Sequence, residues 1–258
     1  MPATIPWVGR VAFLASLPFA FAGEAYVETA PLPSQHATQA AAADEKHVYA
    51  VSSTTIAKYD RASGAEIAVS KGKAQHLNSA FQMDGKILCA HSNFPLKPEQ
   101  GDIRSLDPLT MELTIFHRFE NPPGSLTWIL KKDDAWWCHF AHYGKDNGKA
   151  VLVRFDGEWK ETGRWSYPPD LVKKWGTASL SGAVWSDGVL LATGHDEKEI
   201  YRLKLPEKGD TMEWIATVPS PFPEQGIATD SKTGGLVGID RKAKAVVFAV
   251  LEKASDSK

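Results

Sequence analysis

The sequence predicts an all-β chain folded as a five-bladed β-propeller and closed by its own N-terminal strand. Three observations carry that prediction. A unit recurs five times, an apolar hairpin with a tight turn stands at the centre of each unit, and Pro and Gly interrupt every window long enough for an amphipathic helix.

The repeat is clearest between residues 35–50 (QHATQAAAADEKHVYA) and 75–90 (QHLNSAFQMDGKILCA). At an offset of 40, Gln35/Gln75, His36/His76, Ala40/Ala80, Asp44/Asp84, Lys46/Lys86 and Ala50/Ala90 are identical. Looser copies follow at GSLTWILKKDDAWWCHF, SLSGAVWSDGVLLATGH and EQGIATDSKTGGLVGIDR. With Asp44, Asp84, Asp133, Asp187 and Thr233 as markers, the spacings are 40, 49, 54 and 46 residues. Repeats of that length built from short strands are the mark of propeller blades.

Within each unit a first apolar strand runs into Asp-Gly or its equivalent, a strong hairpin signal, and a second strand rich in large apolar residues leaves it. A third strand is predicted at 55–59, 102–106, 151–155, 199–203 and 245–249. Tight turns at Asp60-Arg-Ala-Ser-Gly64, Asp107-Pro108, Asp156-Gly157 and Pro206-Glu-Lys-Gly209 lead to a fourth strand in the first four units, such as 113–119 and 213–218. The fifth unit has three strands before its polar tail. An unassigned strand at 25–29 precedes the first unit, and an open ring would leave an exposed sheet edge. The N-terminal strand is therefore expected to complete blade five.

Composition sets limits on function. The chain has 258 residues, a net charge of −2 with mixed signs, and two cysteines. That balance excludes a dedicated nucleic-acid binder, and two cysteines make neither a disulfide scaffold nor a four-thiolate zinc site. Arg10, the apolar run VAFLASLPFAFA and the Ala20-Phe21-Ala22 site read as a secretory signal peptide over residues 1–22, too short to span a membrane. Residues 23–258 are then a single propeller domain, secreted or periplasmic, with no membrane insertion after signal cleavage. Cys89 and Cys138 each lie five residues past their blade marker. Equivalent positions of neighbouring blades should exceed the ~7 Å Cα separation that a disulfide allows, so both are expected to be free, buried thiols.

The turn into strand one and the turn out of strand two emerge on one face, so their residues should surround one mouth. Six of the eight histidines fall there: His36, His76, His91, His139, His142 and His195. The candidate ligand-binding residues are His76, Asn78, His91, Asn93, His142, Tyr143, His195, Asp196, Gln225, Asp240 and Arg241. Imidazoles in such a funnel suit a divalent metal in the central channel, a small molecule or a protein partner. Loop histidines also tie backbone groups together, and His139-x-x-His142 could share one metal only if the chain turns between them. Most tryptophans should pack between blades, with Trp175 in the long connection before blade four placed to stack a planar ligand. No G-x-S-x-G, P-loop, dinucleotide or H-E-x-x-H motif is present.

The strings HLNSAFQMDGKILCAHSNFP, GSLTWI with AWWCHFAHYG, LVRFDGEW, SGAVW with DGVLLATGHDEKEIYRLKLPEKG, and QGIATD resemble a family of exported bacterial β-propeller proteins of unassigned activity, some labelled cycloisomerase. The resemblance covers roughly residues 35–250. It implies a secreted propeller. The alternative function is an enzyme of cycloisomerase or lactonase type, acting on a small acid, lactone or sugar with a mouth histidine as general base.

Overall fold

The computed structural model describes residues 23–253. The predicted leader at 1–22 lies outside the described residues, as does the polar tail from 254. The chain begins with β1 (Glu24–Pro33), then builds blade one from β2 (Ala40–Ala43), β3 (His47–Val51), β4 (Ile56–Asp60) and β5 (Glu66–Val69). Blade two is β6 (Phe81–Met83), β7 (Lys86–Ser92), β8 (Gly101–Leu106) and β9 (Leu113–Phe119). Blade three is β10 (Ser125–Lys132), β11 (Ala135–Ala141), β12 (Val151–Phe155) and β13 (Glu161–Trp165). Blade four is β14 (Gly182–Ser186), β15 (Val189–Thr193), β16 (Glu199–Lys204) and β17 (Glu213–Pro219). Blade five has β18 (Glu224–Thr229), β19 (Leu236–Asp240) and β20 (Ala245–Lys253), with β1 as its outer strand.

The turns follow from their residues. Asp84-Gly85, Asp133-Asp134 and Asp187-Gly188 all hold positive φ at both central positions, 50° and 73°, 52° and 57°, 49° and 77°. That is the type I′ geometry that matches strand twist and that Asp and Gly tolerate best. Blade one solves its turn differently: Asp44 Oδ1 accepts from the backbone N–H of Lys46 and of His47, each at 2.7 Å.

Period-two alternation divides each strand between two interfaces. In β7, Ile87 and Cys89 pack toward blade one, while Leu88 and Ala90 pack toward blade three. In β11, Cys138 and Phe140 pack on blade two, and Trp137 packs on blade four. The two cysteines are free and fully buried, and the sheet of blade two stands between the layers they occupy. Burial raises both thiols, Cys89 to about 12.

Ring closure occurs at two radii. On the outside, β1 pairs antiparallel with β20 from Glu24↔Lys253 to Pro33↔Ala245. Nearer the axis, Arg61 of blade one forks onto the fully buried Asp230 of blade five, with contacts of 2.6 and 2.7 Å. Two short helices interrupt the all-β pattern: a 3₁₀ turn at Gly144–Lys149 and α1 (Pro169–Lys174). Asn147 Nδ2 ties them by donating to the Gly176 carbonyl at 2.8 Å. Among the described residues, no helix is long and apolar enough to cross a membrane.

Candidate functional site

The innermost strands approach so closely that the axis has no open bore at its middle. A Cβ placed on Gly182 would lie 2.6 Å from Gly226 Cα, and one on Gly226 would lie 2.8 Å from Ala40 Cβ. Glycine and alanine are required there by contact between backbones.

On one side of this constriction the starts of the five inner strands surround a cavity of about 360 Å³. Its floor takes one polar side chain from each blade: Gln39, Asn78, Thr127, Ser181 and Gln225. Hydrogen bonds between neighbours run around the whole circle at this level. Leu77 N donates to Ser53 O (2.8 Å), Asn78 Nδ2 to Leu126 O (2.9 Å) and Thr127 Oγ1 to Leu180 O (3.1 Å). Thr193 Oγ1 donates to Gln225 O (2.5 Å), and Gly226 N to Gln39 O (2.9 Å). Gln225 holds φ at +74°, a left-handed conformation unusual for a long side chain and found where a site constrains its backbone.

The walls are chemically distinct. On one side His76, Phe94 and Tyr143 form a tilted aromatic row with ring centroids 5.5 and 4.8 Å apart. Burial raises the Tyr143 phenol. On the other side stand His195, whose Nδ1 is 2.9 Å from Asp196 Oδ1, and Arg241, whose Nε donates to the Thr38 carbonyl at 2.9 Å. Burial first, then the neighbouring His91 and Arg241 charges, hold the His76 imidazole below its ordinary value; a hydrogen bond with Asn78 works partly against them. Burial thus favours the neutral form of the His76 imidazole.

Seven of the eleven candidates line this cavity: His76, Asn78, Tyr143, His195, Asp196, Gln225 and Arg241. Four do not. His91 Nε2 accepts from the Gln75 backbone N–H at 3.0 Å, and Nδ1 lies 3.1 Å from Asp102 Oδ1. Burial raises the Asp102 carboxyl, but His91 and Arg104 outweigh it and hold the group below its ordinary range. Asn93 closes its own loop, donating to Pro98 O and accepting from Gln100 N. His142 Nε2 donates to the Pro123 carbonyl at 2.7 Å, and Asp240 Oδ1 accepts from Ala243 N at 2.8 Å. Each of these four satisfies backbone or local groups that a loop would otherwise leave unpaired.

His139 and Trp175 also belong to the packing. His139 is fully buried, stacked on Trp128, with its ring nitrogens 2.7 Å from Tyr167 Oη and 3.1 Å from Ser179 Oγ. Trp175 is buried edge-on against Tyr167. His36 lies away from the cavity, 3.1 Å from Thr55 Oγ1. Gln39 and Phe94 line the mouth without having been singled out. Gln39 has a signal in hindsight, since it sits at the repeat offset from Ser79, at the start of an inner strand. Among the described residues, no group of three or more His, Cys, Asp or Glu side chains is arranged to hold a metal ion, so the divalent metal expected in the channel has no ligand set there.

No protein-family model matches the chain, and no curated protein sequence is similar to it. Solved structures do share its fold. A crystal structure of Myxococcus xanthus glutaminyl cyclase superposes with a TM-score of 0.61 at 10% identity, over 90% of this chain and 98% of that one. A chain from a crystal structure of a mitotic checkpoint complex aligns over 99% of this chain and 100% of its own, with a TM-score of 0.47 and 8% identity. At 10% identity the likeness to the glutaminyl cyclase is one of architecture.

Proposed function

We propose that this chain is an exported β-propeller protein whose five-blade mouth binds a small, carboxylate-bearing molecule. The observation that carries the reading is the placing of the His76 imidazole and the Arg241 side chain around one concavity, above a floor of amides and hydroxyls. An arginine fixes a carboxylate through charge-assisted hydrogen bonds, and the ring of amides and hydroxyls on the floor orients polar groups beside it. Phe94 and Tyr143 offer apolar cover for the rest of the molecule. The cavity is of a size that ordinary metabolites fill. Export rests on the charge, apolar run and small-residue site of residues 1–22, and an N-terminus at Gly23 on the mature protein would bear it out.

Calorimetric titration with a panel of hydroxy acids, lactones and uronic sugars tests the binding reading. At least one is expected to bind, with affinity falling tenfold or more in His76→Gln while the melting temperature stays unchanged. Equal binding by both proteins, or binding by neither, overturns it.

A second reading, enzymatic, is favoured by the same imidazole and by the name of the Myxococcus xanthus neighbour. Ring closure or opening, in a cyclase as in a cycloisomerase or lactonase, needs a base to accept a proton, and a histidine whose neutral form burial favours is suited to that role. Turnover of a lactone or an N-terminal glutaminyl peptide, abolished in His76→Gln, would select it. Binding without turnover would leave the protein a receptor.

A further inference from the structure

The constriction at Gly182 and Gly226 leaves a second cavity at the opposite end of the axis, also of about 360 Å³. It lies where the inner strands run toward their hairpin turns. Its inner surface is made of short side chains, Ala80 and Ala228 among them, because larger ones could not pass where five strands converge. Its walls come from longer residues. Phe81 of blade two and Trp185 of blade four, on blades that are not neighbours, are both partly exposed and both line the cavity. Blade three, between them, contributes Lys131, whose Nζ is 5.2 Å from the centre of the Trp136 ring. Blade five adds the Thr229 hydroxyl. No Asp or Glu is among the described residues that line this cavity, so Lys131 gives it a positive character.

We propose that this cavity is a second ligand site, independent of the mouth, for an aromatic carboxylate of one or two rings. The ring enters between Phe81 and the face of Trp185 that the Lys132 ammonium, 5.4 Å from the Trp185 ring centre, does not cover, where aromatic surface favours stacked or edge-on contact. The carboxylate meets the Lys131 ammonium and the Thr229 hydroxyl, donors at the solvent-facing side. A neutral aromatic would keep the stacking and lose the ion pair. An aliphatic acid would keep the ion pair and lose the stacking.

Calorimetric titration of the full chain with 2-naphthoate, and with 2-naphthamide as its uncharged counterpart, tests this. One equivalent of naphthoate is expected to bind the natural protein, and to bind His76→Gln equally well. Lys131→Met retains the apolar stem, so it should weaken naphthoate tenfold or more and leave naphthamide within twofold. Ala228→Leu fills the cavity and should abolish both. Should that variant fail to give the natural circular dichroism and melting curve, Trp185→Ala serves in its place, with both ligands expected to weaken tenfold or more. The proposal is overturned if naphthoate does not bind, if Lys131→Met binds it unchanged, or if binding disappears in His76→Gln, which would place the ligand in the mouth.

Discussion

Replacing His91 by Ala would remove the acceptor of the Gln75 amide and the imidazole beside Asp102, on the wall of a cavity that all three residues line. Loss of one such hydrogen bond costs about 0.5–1.5 kcal/mol, and that loss should appear in urea unfolding of His91→Ala. His139 answers to acid instead. Burial, with His142 adding to it, lowers its imidazole from 6.5 to about 3. Between those values the unfolded chain takes up a proton that the folded chain refuses, so stability falls as pH drops through this window. The slope from this group should approach ~1.4 kcal/mol per pH unit, and His139→Phe, which keeps a ring on Trp128, should flatten the dependence between pH 6 and 4.5 in the same unfolding assay. The histidines show where the sequence stops being informative. His76 and His91 both stand at the mouth end of blade two, yet one faces the cavity and the other faces a backbone amide. What separates them is the course of the 73–75 segment across His91, a tertiary contact that no local pattern encodes.

At the level of strands, the repeat made nearly everything legible, because an Asp-Gly pair constrains its own backbone and period-two alternation reports burial on both sheet faces. The strand at Val151–Phe155 falls where the pattern put it, and Leu113–Phe119 likewise. The two six-residue helices were not foreseen, being too short to express a helical period. They follow from the long connections of blades three and four, where the chain must cover Trp175 and Leu171. β1 makes the sharpest test at this scale. Deleting residues 23–33 leaves β20 as an unpaired edge and removes the Arg202–Glu24 contact of 2.7 Å. The truncated protein should melt several degrees lower and self-associate in sedimentation velocity. A monomer with unchanged melting would contradict the pairing.

The molecule as a whole depends on pairs of neighbours, since each core cluster lies mainly between adjacent blades. Arg61 and Asp230 join the first blade to the last, and Phe248 lies against the guanidinium at 4.7 Å. Arg61→Met would strand the Asp230 carboxylate without its cation, a change that costs about 3–5 kcal/mol where the partner is buried. Denaturant unfolding should show that loss as a lower midpoint, and Arg61→Met with Asp230→Asn should recover part of it by removing the buried charge.

The pairing of β1 with β20 also imposes an order in time. Of the described strands, residues 24–33 form the first to be synthesised and their partners at 245–253 the last. Joining ends so distant along the chain carries the largest loop entropy in the molecule, though that cost grows only with the logarithm of the span. Four blades can assemble from strands close in sequence while the first strand waits without a sheet to join. The closing seam is then expected to form last, and until it does β20 presents an unpaired edge to another copy of the chain.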